Sequence, residues 1–155
     1  MPASTEDQPL EGRFDGPEHR FPLRVYFEDT DLTGVVYHAN YLRYMERARS
    51  DMLRLLGIDH RDAIVSGAGG YAVSALTIRY LRPATLDDML VVVSSLTQLR
   101  AATAHIQQRV MRGDTILTDA EVTVALVGPT GRPRRQPPAW IAAFDAVLVR
   151  GEDQA

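Results

Sequence analysis

Between residues 71 and 127 the sequence carries four β-rich segments in a row, and their connectors leave few architectures open. The segments span 71–81, 89–99, 103–112 and 115–127, each bounded by turn residues. The second and third connectors, Arg100-Ala101-Ala102 and Gly113-Asp114, are hairpin-sized. A parallel neighbour would need a crossover of a dozen or more residues, so these strands pair antiparallel as a meander. One long helical repeat precedes them. Tyr41, Met45, Ala48, Met52 and Leu56 recur at helical spacing over 38–56 and form an apolar stripe, with Arg43, Arg47, Ser50 and Arg54 opposite. Gly57 stands where a helix C-terminus favours glycine. A strand over 21–28 comes first, a short helical turn is expected within 59–65, and a C-terminal helix over 140–149. The fold class is therefore α+β, with a long central helix wrapped by a five-stranded antiparallel sheet and a short C-terminal helix. The open sheet edges, and apolar residues on the second sheet face, predict a homo-oligomer.

At 155 residues the chain is long enough for one domain with its own core, placed at 21–150. Residues 1–20 hold Pro, Gly, Asp and Glu and few bulky apolar side chains, which predicts a flexible N-terminal tail. A net charge of −3 gives no basic footprint and argues against nucleic acid as a partner. All 17 basic residues are Arg. With no cysteine, a thiol nucleophile, a disulfide framework and Cys-ligated metals are excluded. The four His residues show no metal-ligand spacing, so no metal site is expected. No apolar run approaches the roughly 18 residues of a membrane span, and the polar N-terminus lacks the apolar core of a secretory signal. The expected location is cytoplasmic, without stable membrane insertion.

Chemistry points to the join between the first strand and the helix, Asp29-Thr30-Asp31-Leu32-Thr33-Gly34. A carboxylate in a tight loop can act as base or nucleophile, and a helix start just beyond it offers free N–H groups and partial positive charge. On residue type alone, an Asp in such a loop is more often a cap or turn residue. Gly34 suits a backbone angle that other residues resist. On the helix, Arg47 and Asp51 are spaced as an i,i+4 pair, and Glu46 has Arg43 and Arg49 within reach for a structural ion pair.

The strings Glu28-Asp29-Thr30-Asp31, Gly34-Val35-Val36-Tyr37-His38-Ala39-Asn40-Tyr41 and Glu46-Arg47-Ala48-Arg49 resemble the signature of hotdog-fold acyl-CoA thioesterases. The similarity is to the 4-hydroxybenzoyl-CoA thioesterase group and its YbgC branch, which is associated with the Tol–Pal envelope system. It continues through Tyr80-Leu81-Arg82-Pro83-Ala84 and Asp119-Ala120-Glu121-Val122 and covers about residues 20–145. It implies hydrolysis of acyl-CoA to a carboxylic acid and CoA, with no cofactor and no metal. It implies a dimer or tetramer whose active sites lie at the dimer interface, and a possible acyl carrier protein partner. Asp31 matches the family's catalytic aspartate, as base or nucleophile. His38 matches the residue that opens the central helix, where a backbone N–H faces the thioester carbonyl. The same likeness assigns Gly34, Val36, Tyr37 and Tyr41 to substrate binding. It also makes Arg100, in a hairpin loop, a candidate for the CoA phosphates, although Ala101 and Ala102 replace most of the basic cluster expected there. Two rivals stay open. One is dehydration or hydration of an acyl thioester, leaning on His38 and Glu46. The other is non-catalytic binding of an acyl thioester or acyl carrier protein. The sequence does not specify the acyl group.

Overall fold

A computed structural model describes residues 5–150. The chain runs a short 3₁₀ turn (Thr5–Asp7), β1 (Arg13–Asp15), β2 (Glu18–Arg24), a second 3₁₀ turn (Phe27–Asp29), α1 (His38–Leu55) and α2 (His60–Ser66). It continues through β3 (Gly70–Tyr80), β4 (Met89–Leu99), β5 (Thr103–Arg112), β6 (Thr115–Val127) and α3 (Pro138–Asp145). All strands pair antiparallel in one sheet of order β1-β2-β4-β5-β6-β3. The β4–β5 and β5–β6 hairpins follow the connectors read from the sequence. The sheet has six strands rather than five, because residues 13–20 are not a tail. They form the β1–β2 hairpin, and β2 pairs with β4 in the register His19↔Ser94 to Arg24↔Met89. Only residues 1–4 of the expected tail lie outside the described residues.

Burial explains α1. Tyr41, Met45, Ala48 and Met52 are buried, while Arg43, Arg47, Ser50 and Arg54 are exposed. They pack on the inward side chains of the sheet: Leu90, Val92 and Leu96 of β4, Ile106 and Val110 of β5, and Leu117 and Val122 of β6. The helix ends by a reciprocal pair of bonds. Ile58 N–H reaches Leu53 C=O at 2.9 Å and Gly57 N–H reaches Arg54 C=O at 3.1 Å. Gly57 takes the left-handed φ of +79° that this motif requires. The C-terminal helix starts at Pro138, whose missing N–H costs nothing at a first helical position, and stops at Asp145, short of the expected Val149.

The hairpin is held to α1 by polar groups. His19 and Asp51 are both buried, and His19 Nε2 lies 2.7 Å from Asp51 Oδ2. Gly12 N–H donates to the same oxygen at 3.0 Å. A Cβ on Gly12 would sit 2.6 Å from that oxygen and 2.5 Å from Arg20 C=O, so only glycine fits this approach. Phe14 closes over the His19 ring at 5.3 Å between centroids. The Arg47–Asp51 pair read from helical spacing does not form, because Asp51 turns inward to His19. Nor does the Glu46 ion pair form: Arg49 bonds to Gln108 instead.

Removing one member of the buried pair strands the other. Asp51→Ala leaves the buried His19 Nε2 and the Gly12 N–H without their acceptor and is expected to cost about 1–3 kcal/mol, measured by urea unfolding. Burial, opposed by Asp51, holds the His19 pKa below 6.5. The native state therefore keeps His19 neutral, and the unfolded chain takes up the proton first as pH falls. This stability is present above pH 6.5 and is lost progressively below it. Unfolding curves of His19→Gln should show a shallower acid-side loss than those of the native chain.

Candidate functional site

The acidic loop is fixed from behind by Asp29. Its Oδ2 accepts from Tyr26 N–H at 2.8 Å, and its backbone C=O accepts from both Tyr37 N–H at 2.9 Å and Asn40 Nδ2 at 2.8 Å. One residue thus ties the 3₁₀ turn to the start of α1. Between these anchors the chain makes a tight turn. Asp31 N–H bonds Val35 C=O at 2.9 Å, Gly34 N–H bonds Asp31 C=O at 3.0 Å, and Gly34 adopts φ +84°. The turn is braced by the loop before β4. Val36 N–H donates to Ala84 C=O at 2.9 Å, Ala84 N–H donates to the Tyr41 hydroxyl at 3.0 Å, and Arg112 meets Asp88 at 2.8 Å.

Asp31 stands exposed at the tip of this turn. Its Oδ1 accepts from both the hydroxyl and the N–H of Thr33, the latter at 2.8 Å. The Thr33 hydroxyl first, then the Thr33 N–H, hold the Asp31 carboxyl below the usual carboxylate range, with smaller help from Val35 and His38. Oδ2 has no hydrogen bond among the described residues. The side chain is therefore an ionised carboxylate with one oxygen held and one available.

Close by, α1 begins without a side-chain cap and with no acidic residue in its first turn. Asn40 N–H is taken by Tyr37 C=O at 2.8 Å, but the N–H groups of His38 and Ala39 have no backbone partner among the described residues. The positive helix end is left for an incoming acceptor. The His38 ring packs against Tyr37 at 4.6 Å and meets Tyr80 edge-on at 6.1 Å. Tyr80 also donates its hydroxyl to His38 C=O at 2.9 Å. Val36, His38, Tyr41, Tyr80, Leu81 and Pro83 line a cleft of about 280 Å³.

The structure thus brings Asp31, Gly34, Val36, Tyr37, His38 and Tyr41 together, with distinct parts to play. Gly34 supplies the turn, and Val36, buried in the core, contributes the cleft wall. Tyr41 is also buried, its hydroxyl spent on Ala84. Arg100 is not part of this group. It sits in the β4–β5 hairpin, at the far end of the 11-residue β4 from the Ala84–Asp88 loop. At about 3.3 Å per residue, that is roughly 33 Å away within one chain. Arg134 donates to Gly67 C=O at 2.6 Å and fastens the loop after α2. Tyr80 was missed as a site residue. Its strand position was legible, but its approach to His38 depends on the β3–β6 pairing.

The chain is similar to known thioesterases. The family model described as Thioesterase superfamily matches residues 33–118. The chain is 40% identical over 127 residues to the acyl-CoA thioester hydrolase YbgC of Escherichia coli O6:H1, covering 81% of this chain and 94% of that protein. It is 43% identical over 107 residues to the acyl-CoA thioesterase YbgC of Haemophilus influenzae, covering 69% of this chain and 79% of that protein. A crystal structure of a probable thioesterase from Bartonella henselae superposes with a TM-score of 0.74 at 37% identity, covering 77% of this chain and 99% of that one.

The Thr33 contacts give a direct test of the turn. Thr33→Ala removes the largest influence on the Asp31 carboxyl, whose pKa should rise toward 3.8. Carbon NMR titration of the labelled carboxyl would register that shift, and an unmoved value would contradict the role given to Thr33.

Proposed function

Because the chain belongs to the thioesterase superfamily, we propose that it hydrolyses acyl-CoA to a carboxylic acid and CoA at the Asp31–His38 site. The observation that carries this reading is the placement of an exposed, ionised carboxylate beside an uncapped helix N-terminus. The thioester carbonyl oxygen lies toward the N–H groups of His38 and Ala39, where the developing negative charge is stabilised. Asp31 Oδ2 either takes a proton from an attacking water or attacks the carbonyl carbon itself. In both routes the C–S bond breaks, CoA leaves as the thiolate and is protonated, and a water oxygen ends in the acid. In the second route a mixed anhydride on Asp31 is cleaved by water. The curated YbgC relatives carry thioester hydrolase names, which favours hydrolysis over dehydration.

The reading includes a dimer. β3 is an edge strand of 11 residues, paired on one side only to β6. It exposes Val73, Leu76 and Tyr80, an edge that invites pairing with a second copy. The sheet face away from α1 is a weaker candidate, since it presents Ser95, Gln107, Arg109 and Glu121. Antiparallel self-pairing along β3 sets the Tyr80 cleft of one chain beside the start of β3 in the other. The working compartment is the cytoplasm, where CoA thioesters are made and used. No described helix is long and apolar enough to cross a membrane.

A thiol-release assay over short, long, branched and aromatic acyl-CoAs, with an acyl carrier protein thioester beside them, tests the reaction. Asp31→Asn should lower kcat/KM by at least about 10²-fold, the scale of a lost general base, while circular dichroism stays unchanged. Full activity in that variant would remove Asp31 from the chemistry. Val73→Lys should shift the chain to monomer in light scattering and reduce turnover with it.

A further inference from the structure

A second cavity lies apart from the cleft at His38 and Tyr80, between the middle of α1, the start of β3 and α3. It holds about 210 Å³, with Met52, Leu53, Ile106 and Phe144 among its apolar walls. That is below the roughly 300–1,000 Å³ of sites for drug-sized ligands, so it suits a chain of a few carbons. Two charged side chains, Glu46 and Arg49, also line it.

Arg49 is held in an unusual way. Its Nη1 donates to Gln108 Oε1 at 2.8 Å. Gln108 is fully buried, and its amide nitrogen is committed to Met45 C=O at 2.9 Å and Ser94 Oγ at 3.0 Å. The amide cannot turn over, so it fixes the guanidinium in place through a neutral oxygen. No carboxylate reaches Arg49 within ion-pair distance among the described residues; Glu46, exposed at the rim, acts on it through space alone. Half-buried in an apolar cavity, the guanidinium bears a desolvation cost that a bound anion would offset. The remaining donors of the fork have no protein acceptor among the described residues, and a planar fork of this kind matches a carboxylate.

Antiparallel pairing of two copies along β3 sets residues 71–73 of one chain beside 78–80 of the other. The cavity, which includes Tyr71 and Val73, then opens next to the partner subunit's Tyr80. We infer that this cavity receives the far end of the acyl group, and that Arg49 selects a short acyl chain ending in a carboxylate, the half-thioester of a dicarboxylic acid. This rests on the thioesterase reading and on the β3 dimer proposed above.

The test measures binding without turnover, so it is independent of whether any thioester is hydrolysed. Stable thioether analogues of glutaryl-CoA and pentanoyl-CoA have chains of equal length and differ in the terminal carboxylate. Calorimetry on the full chain should show the carboxylated analogue bound roughly 10- to 100-fold more tightly, the scale of a charge-assisted hydrogen bond. Arg49→Met should erase the difference, and Arg49→Lys should keep part of it. Glu46→Gln should widen it, because the like charge at the rim is gone. Equal binding of the two analogues by the native chain, or an unchanged difference in Arg49→Met, overturns the inference. Should Arg49→Met fail to fold, Glu46→Gln decides: a widened difference supports the receptor and an unchanged one rejects it. Loss of all hydrolysis with the binding preference intact would instead count against the thioesterase reading.

Discussion

Everything at the Asp31 site depends on where Asp29 puts the chain. Its side chain caps the start of the 3₁₀ turn by accepting the Tyr26 N–H, and its carbonyl receives both the Tyr37 N–H and the Asn40 amide. A strand, a loop and a helix are therefore referred to one peptide unit. Asn40 is a buried polar residue in the first helical turn, and this bond is what satisfies it. With the two ends of the loop fixed, the five residues between Thr30 and Val36 have little freedom. Thr30 and Val36 face each other as an isolated antiparallel bridge, and Asp31 is carried on the turn between them.

The division of labour along α1 follows from this anchoring. Its first turn is free of acidic groups and faces the cleft, its middle carries the half-buried Arg49, and its last turns hold Asp51 against the hairpin. The apolar stripe of the helix is continuous, but polar contacts made at three heights give its length three different surroundings. Gln108 is the counterpart on the sheet, a buried amide whose side-chain bonds go to Arg49 and Met45 of α1 and Ser94 of β4.

Much of this was legible in the sequence where the determinant was local. The limits of β4, β5 and β6 were legible because hairpin connectors and alternation are short-range signals, and the body of α1 because the apolar stripe from Tyr41 runs along it. The acidic turn stood out by its residues. What escaped depended on distant partners. His19 and Asp51 lie 32 residues apart, so the hairpin read as polar tail and Asp51 as a surface helix charge. The order of the sheet puts β2 beside β4, which no connector length reveals. Arg100 looked suitable by residue type, and only the direction of β4 shows that it lies at the other end of the sheet from Asp31 in the same chain.

That strand order also bears on how the protein is made. β2 pairs with β4 through contacts such as His19 with Ser94, and β3 pairs with β6 as far as Gly70 with Val127. On a ribosome adding about 5–20 residues per second, the first-made hairpin waits on the order of 4–15 s before its neighbour emerges. Within that interval its partner outside itself is α1, whose Asp51 clasp is complete once that helix has left the tunnel. The buried imidazole–carboxylate contact is thus the earliest long-range bond available to the nascent chain, and it can keep the leading segment folded back until the sheet has a place for it.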